Sequence, residues 1–459
     1  MRFRTTALAL LATSAVVAGC GAPDTTSTDA GAAPGPSALT QSSSPVTITL
    51  WHGLGGSGGE ALQAAVDDFN RTNPDKINAT AIYQGNYADT QAKYGASIRD
   101  KTTPDALLVS DIGTGYMHDV GQTVPATDMA EANPDDLALD DLRPAARNYY
   151  SADGELLAVP FNVSQPMLYV NGDMIRQAGL PENTSLATLE QVATAATAIH
   201  TALPDKAGLG LWMNGWVFEQ LSAASGSDFC TPENGRSGDG ATQISLTAEA
   251  QKKAFTTVAE LARSGAGIDI GTSGDNNTNA FLQGNVAMMI NSSGAAANVA
   301  KGAGFDYQAL PLPLSGDRAQ SGPVIGGAAL WVSRAGHSDA QQVAAWKLVS
   351  YLASPSVQEK FSQATGFASA NSTVDQSQTQ QDFLGKNAVA ATLTQQLADT
   401  PTTTATAGCL TGAMTGVREN VVQAMQSVVS GNTTLDDGLA RATADANKTI
   451  ASYREQAGK

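Results

Sequence analysis

The side chains able to do chemistry in this sequence are scattered, and they form no catalytic set. There are four histidines, His52, His118, His200 and His337. His200 ends a helical pattern and His337 falls in a loop, so both read as solvated, whereas His52 follows a strand-like run and is placed to touch a ligand. Ser164, Ser292 and Ser293 lie outside any Gly-x-Ser-x-Gly elbow. Asp67-Asp68 and Asp140-Asp141 read as solvated faces, not as a working pair of acids. The glycine-rich run from Gly53 to Gly59 is neither Gly-x-Gly-x-x-Gly in register nor followed by Gly-Lys-Ser/Thr, which argues against a nucleotide site. No His/Cys cluster has metal-ligand spacing. The expectation is therefore a protein that is not an enzyme and needs neither metal nor cofactor.

What remains is chemistry suited to holding a small ligand. Ser292-Ser293-Gly294 precedes a helical stretch, where free N–H groups and the helix dipole favour an anion. Gly326-Gly327 permits close backbone approach. Arg418, set among Gly412, Met414 and Gly416, is the residue type that clamps a phosphate with two donors. Each has an ordinary reading when taken alone: a capping serine, a bulge glycine, a surface arginine.

The elements that must position these groups follow from the pattern. Val46–Trp51 alternates and is β-branched, Glu60–Asn70 carries Leu62, Ala65, Val66 and Phe69 at helical spacing, Ile77–Tyr83 is strand-like, Tyr87–Arg99 helical, and Ala106–Val109 a third strand. Strand–helix–strand–helix–strand predicts a parallel α/β sheet with ligands beyond the carboxyl ends of the strands, near His52, Tyr87 and Asp111. In Ala158–Asn171, Pro160 and Pro166 forbid helix and bracket a short polar segment. That stretch is either one strand of a single sheet or an extended crossing between two lobes, a natural hinge. Further on, helices are expected over Asp173–Gly179, Thr188–Leu203, Leu246–Ser264, Asp339–Ala353 and most of Val417–Tyr453. Strands are expected over Gly208–Trp216, Asn285–Ile290, Phe305–Leu310 and Gly322–Val332.

The chain has 459 residues, enough for two lobes, with a formal net charge of −17 and 15% charged residues. That balance argues against a nucleic-acid partner, which needs clustered Lys and Arg. Arg2 and Arg4, the apolar run Ala7–Val17 and Val17-Ala18-Gly19-Cys20 read as a secretory signal too short to span a bilayer. A Cys directly after small residues resembles the bacterial lipoprotein box, which implies a lipoprotein signal over residues 1–20 that ends at a lipidated Cys20, the first residue of the mature chain, and anchorage on the outer face of the cell membrane. Residues 21–45, rich in Ser, Thr, Pro, Gly and Ala, are expected to be a flexible tether. Cys230 and Cys409 are then either a disulfide, favoured by the oxidising compartment, or two buried thiols.

From Val46 onward the chain resembles the extracellular solute-binding proteins of ABC importers, in their two-lobed carbohydrate-type branch. Gly284-Asn285-Val286-Ala287-Met288-Met289-Ile290 is a typical run of that branch. Trp51-His52, Tyr83–Tyr87, Pro160–Ser164, Ser292–Gly294 and Ile325–Val332 resemble its glycerol-3-phosphate/glycerophosphodiester-binding group. The resemblance implies a type II periplasmic-binding-protein-like α/β fold with a hinge and an interlobe cleft, acting as a monomer that delivers ligand to a membrane permease. Its lobes are expected at 46–160 with 323–365, and at 161–322 with 366–459. It also implies ligand contacts at Tyr87 and Asp111 (glycerol hydroxyls or nearby polar groups) and at Ser164, Ser292, Gly327 and Arg418, several of them on phosphate. Asp111 stands where the group has Glu. Phe367 stands where it has Tyr, which removes one hydroxyl contact. Leu189 is read as falling where phosphomonoester-binding relatives carry Trp, which would open the pocket to a larger head group. Trp212 and Trp216 would then face a choline or stack on a sugar ring, or lie in the core. The expected ligand is glycerophosphocholine ahead of glycerol 3-phosphate. The alternatives are a neutral oligosaccharide, favoured by Phe367 and the acidic surface, an exported phosphodiesterase or glycosidase, and an adhesive lipoprotein without a ligand.

Overall fold

Two strands in direct succession lie in two different sheets, and this crossing is the first of three between the lobes. In the computed structural model, which describes residues 32–41 and 45–459, Val159–Ser164 belongs to a seven-stranded sheet and Pro166–Asn171 to a five-stranded one. Only Gln165 separates them. The crossing reading of Ala158–Asn171 is thus the observed one, and the prolines act as expected by keeping the backbone extended on either side.

The first sheet contains β1 (Thr47–His52), β2 (Asn78–Tyr83), β3 (Ala106–Ser110), a two-residue β4 (Thr123–Val124) and β5 (Val159–Ser164). The second contains β6 (Pro166–Asn171), β7 (Ala207–Trp212), β8 (Gly267–Gly271), β9 (Val286–Ser292) and β10 (Tyr307–Pro311). The chain then returns to the first sheet with β11 (Gly326–Ser333) and β12 (Ala368–Ser369). Strand order is β12-β5-β11-β3-β1-β2, with β4 beside β11, in the first sheet and β8-β7-β9-β6-β10 in the second. β1, β2 and β3 are parallel, as the alternation with helices predicts, but β11 runs antiparallel between β3 and β5, so the sheet is mixed.

The centre of each sheet is buried on both faces. Every residue of β3 and β5 is buried, and Trp331 and Trp346 are almost fully enclosed in the first lobe. In the second lobe Phe218 and Phe255 meet edge to face at 5.8 Å. Each large side chain buried this way contributes roughly 1.5–3 kcal/mol.

Several expectations are corrected. Gly56–Gly59 is the first turn of the helix Gly56–Thr72 and not part of a glycine-rich turn. Gly208–Trp216 is a strand only to Trp212; Asn214 then caps a helix, Gly215–Ala224, by accepting from the Trp216 N–H. β12 lies in the first sheet, so the chain leaves that lobe after residue 369 and not after 365. Two helices, Gln378–Lys386 and Ala388–Asp399, were not anticipated. Residues 33–41 do not run free: Leu39 and Ala33 pack on the first-lobe core, and Asn133 donates to the Pro34 carbonyl at 3.0 Å. Cys20 and the rest of the signal lie outside the described residues.

The crossings are clasped by side chains. Gln396 donates to the Gln165 side chain (3.1 Å) and to the Pro166 carbonyl (3.0 Å), and it accepts from the Leu312 N–H (2.6 Å). Gln165 donates in turn to Thr400 (3.0 Å). One buried glutamine therefore ties the first crossing to the second, and Gln165 ties both to the third.

Candidate functional site

The site grows from a bulge in the first sheet. The register between β11 and β5 slips after Ala328, and Gly327 there has φ +116°, where a Cβ would collide with the Asn162 carbonyl oxygen. Only glycine suits that backbone. Gly327→Ala is expected to lower stability by about 2–3 kcal/mol, measured by urea unfolding.

Beside the bulge, the Gly327 N–H faces the Asp111 carboxylate and helps to hold its charge, and Asn162 Nδ2 donates to Tyr87 Oη at 3.3 Å. Tyr87 is held by a capping box: Asn86 accepts from the Asp89 N–H, and Asp89 accepts from that of Asn86. Asn162 Oδ1 and the Tyr150 hydroxyl, both buried, have no hydrogen-bond partner. Burial pushes the Tyr87 phenol up to about 12, with the Asn162 bond opposing.

The second lobe brings a guanidinium to this wall. Arg418 Nε and Nη2 both donate to Glu219 Oε2, at 3.1 and 2.5 Å, and Nη2 lies 3.7 Å from Asp111 Oδ2. Glu219 is 1% exposed, and its other oxygen accepts from the Cys409 N–H at 3.0 Å. Burial works against the charged guanidinium, but the Glu219 and Asp111 carboxylates outweigh it and hold Arg418 above its ordinary value. A second arginine, the half-buried Arg236, donates to the carbonyls of Gly408, Tyr149, Ser151 and Ala407 and lies over the Tyr149 ring. Burial brings it down to about 10.

Asp111 is the strained member. Burial pushes its carboxyl up to about 6; Arg418 pulls it down, while Glu219 pushes it up. Its folded value lies above the unfolded one, so the unfolded chain holds fewer protons between about pH 4 and 6. Stability contributed by this group is therefore present below pH 4 and is lost as pH rises through 6. Asp111→Asn is expected to raise the stability of the unliganded protein by about 2–3 kcal/mol at pH 7.5. The gain should shrink toward pH 4 when wild type and variant are unfolded in urea side by side.

The other predicted residues divide. Ser164 closes β5 opposite Gly326, and its Oγ and the Trp216 ring flank that glycine. Trp216 tilts against Trp212 with centroids 6.0 Å apart, neither of them fully buried. Ser292 caps the turn Ser293–Ala295 by accepting from the Gly294 N–H, so that donor is already taken. Its neighbour Ser293 exchanges hydrogen bonds with the backbone of Gln165. Phe367 precedes β12, next in register to Ser164, and stacks on Phe361. His52 is 5% exposed and its Nδ1 has no partner. Leu189 is not with the rest. It is 1% exposed in the second-lobe core and lines a small internal cavity with Leu211, Phe218 and Val258. The argument for a widened pocket at that position fails, because the side chain beside Gly326 is Trp216. Glu219, Asn162, Tyr150 and Arg236 were missed. The lone charge in the helix GWVFEQLSAA was the available signal for the first of these.

Cys230 and Cys409 form a disulfide. It fixes the segment that supplies the Cys409 N–H to Glu219 and the Gly408 carbonyl to Arg236. A separate cavity of about 310 Å³, lined by Gln308, Leu310, Arg318 and Asp399, holds none of the predicted residues. Among the described residues no helix is long and apolar enough to cross a membrane, and no group of His, Cys, Asp and Glu could hold a metal.

The model of the bacterial extracellular solute-binding protein family matches residues 64–414. The sn-glycerol-3-phosphate-binding periplasmic protein UgpB of Escherichia coli K12 is 30% identical over 415 residues, 89% of this chain and 93% of the relative. Its namesake from Salmonella typhimurium LT2 is 29% identical over 418 residues, 90% of this chain and 94% of the relative. Among solved structures, the cyclic alpha-maltosyl-1,6-maltose binding protein from Arthrobacter globiformis superposes with a TM-score of 0.75 at 20% identity, covering 89% of this chain and all of that one. UgpB from Mycobacterium tuberculosis in complex with glycerophosphocholine gives 0.69 at 21% identity, covering 91% and 98%. At those identities the structural neighbours speak for the two-lobed α/β fold.

Proposed function

We infer the ligand of this chain from one premise: it belongs to the family of bacterial extracellular solute-binding proteins. It is a transport component that binds a small molecule for an ABC importer, not an enzyme. Within that role we propose that the interlobe cleft captures a glycerol phosphoester, either sn-glycerol 3-phosphate or a glycerophosphodiester such as glycerophosphocholine. The observation that carries this reading is Arg418. It comes from the second lobe and meets Asp111 of the first, and its Nη1 lies outside the bonds to Glu219. In this reading Nη1 and Ser164 hold the phosphate, Tyr87 and Asp111 take the glycerol hydroxyls, and Trp212 and Trp216 face the head group. Closure of the lobes about Gln165 and its clasp buries the ligand.

A thermal-shift screen followed by calorimetry tests it. The glycerol phosphoesters should raise the melting temperature and bind at micromolar concentration or below, while maltose and trehalose do nothing. A specific observation favours a second reading, a neutral oligosaccharide: Arg418 is already balanced by Glu219, and the Trp212–Trp216 pair offers a surface for a sugar ring. Binding of the sugars alone in the same screen would select it.

The relatives work outside the cytoplasm. We further propose that Cys20 carries the lipid that holds this chain at the membrane. Cys20→Ser should then move the protein from the membrane fraction to the medium; retention would remove the anchor.

A further inference from the structure

The arginine expected to clamp phosphate is already clamped. Glu219 reaches it from the floor of the second lobe, and nothing in a bare phosphate site requires a carboxylate there. The surroundings fix its charge. From the helix Gly215–Ala224 comes Glu219, from the helix Met414–Val429 comes Arg418, from the end of β3 comes Asp111, and from the loop after Cys230 comes Arg236. Tyr87, Tyr149 and Tyr150 complete the ring, all held neutral by burial. Two guanidinium and two carboxylate groups sum to zero. A phosphomonoester at neutral pH adds nearly two negative charges to a desolvated cluster that lacks a free cation. A phosphodiester carrying its own ammonium adds none.

We propose that Glu219 is a positioning residue that sets ligand charge: by neutralising Arg418 from within, it makes the cleft favour a zwitterionic glycerol phosphodiester over the doubly charged monoester. This rests on the glycerol-phosphoester reading and adds to it the choice between the two ligand classes. The Trp212–Trp216 pair is then the group available to the cationic end.

Calorimetry on the full mature chain with glycerophosphocholine and sn-glycerol 3-phosphate tests it. The wild type should bind the zwitterion more tightly. Glu219→Gln keeps the shape and the acceptor for Cys409 but removes the charge, and should move the ratio of the two dissociation constants toward the monoester by about tenfold. Glu219→Asp, which restores the charge, should return the ratio toward the wild-type value; a merely structural role would weaken both ligands together. If Glu219→Gln fails to fold, the wild type alone decides. Monoester binding measured in buffers of different ionisation heat should then take up about one proton, and zwitterion binding none. A ratio unchanged in Glu219→Gln, or a wild type that prefers the monoester, overturns the inference while leaving the phosphoester reading intact. Failure of both ligands to bind the wild type overturns both.

Discussion

Arg418→Ala is expected to abolish phosphoester binding and to destabilise the fold at once. The second effect follows from burial. Glu219 is 1% exposed, and apart from the Cys409 N–H the guanidinium is its support. Removing one partner of a buried pair leaves an uncompensated charge and costs roughly 3–5 kcal/mol. Asp111 loses the charge that pulls its carboxyl down and should titrate above about 6. The two losses separate in a double variant, Arg418→Met with Glu219→Gln, which removes both charges. It should recover most of the stability in urea unfolding and still show no heat with glycerophosphocholine. Recovery of binding in that variant would show that the guanidinium does not hold the ligand.

The second large effect is loss of the disulfide. Cys230 and Cys409 are 179 residues apart. In the chain-entropy description, opening a loop of that length removes about 5 kcal/mol. The bond also joins the hairpin Cys230–Thr231/Gln243–Ile244 to the loop that carries the Cys409 N–H and the Gly408 carbonyl. The Cys230→Ser, Cys409→Ser double variant should therefore melt well below the wild type in calorimetric scans. It should also bind ligand more weakly at temperatures where it remains folded, because Glu219 and Arg236 lose a fixed partner segment. A variant of unchanged melting temperature would show that packing around Phe229 and Leu410 suffices.

Local pattern foretold much of this architecture where one period dominates. β1, the helix Tyr87–Asp100 and β3 stand where alternation and helical spacing place them, and the prolines at 160 and 166 mark the crossing because proline acts on its own backbone. The helices Gln378–Lys386 and Ala388–Asp399 were not legible, since their Gln-rich sequences bury few residues beyond Leu393, Gln396 and Leu397. Trp216 was misplaced on a strand because aromatic, apolar runs look alike in both periods until a cap such as Asn214 decides. Tyr87, Asp111, Ser164 and Gly327 meet around the bulge through the order of the strands, and Trp216 and Arg418 reach them from helices of the second lobe, a meeting that no local signal records. Leu189 failed for the same reason in reverse, since the hydrophobic face of its helix turns it into the core. Glu219 is the instructive omission: a charge in a fully buried helix is costly unless paired, and its partner lies 199 residues away.

The most direct measurement is the position of the phosphorus atom in a crystal of the protein grown with glycerophosphocholine. It should lie in the cleft within hydrogen-bonding reach of Arg418 Nη1 and Ser164, with the glycerol hydroxyls on Tyr87 and Asp111 and both lobes closed over it. A ligand seated elsewhere, such as in the cavity beside Gln308 and Arg318, or lobes that stay apart with Arg418 bound only to Glu219, would contradict a phosphoester held between the two lobes.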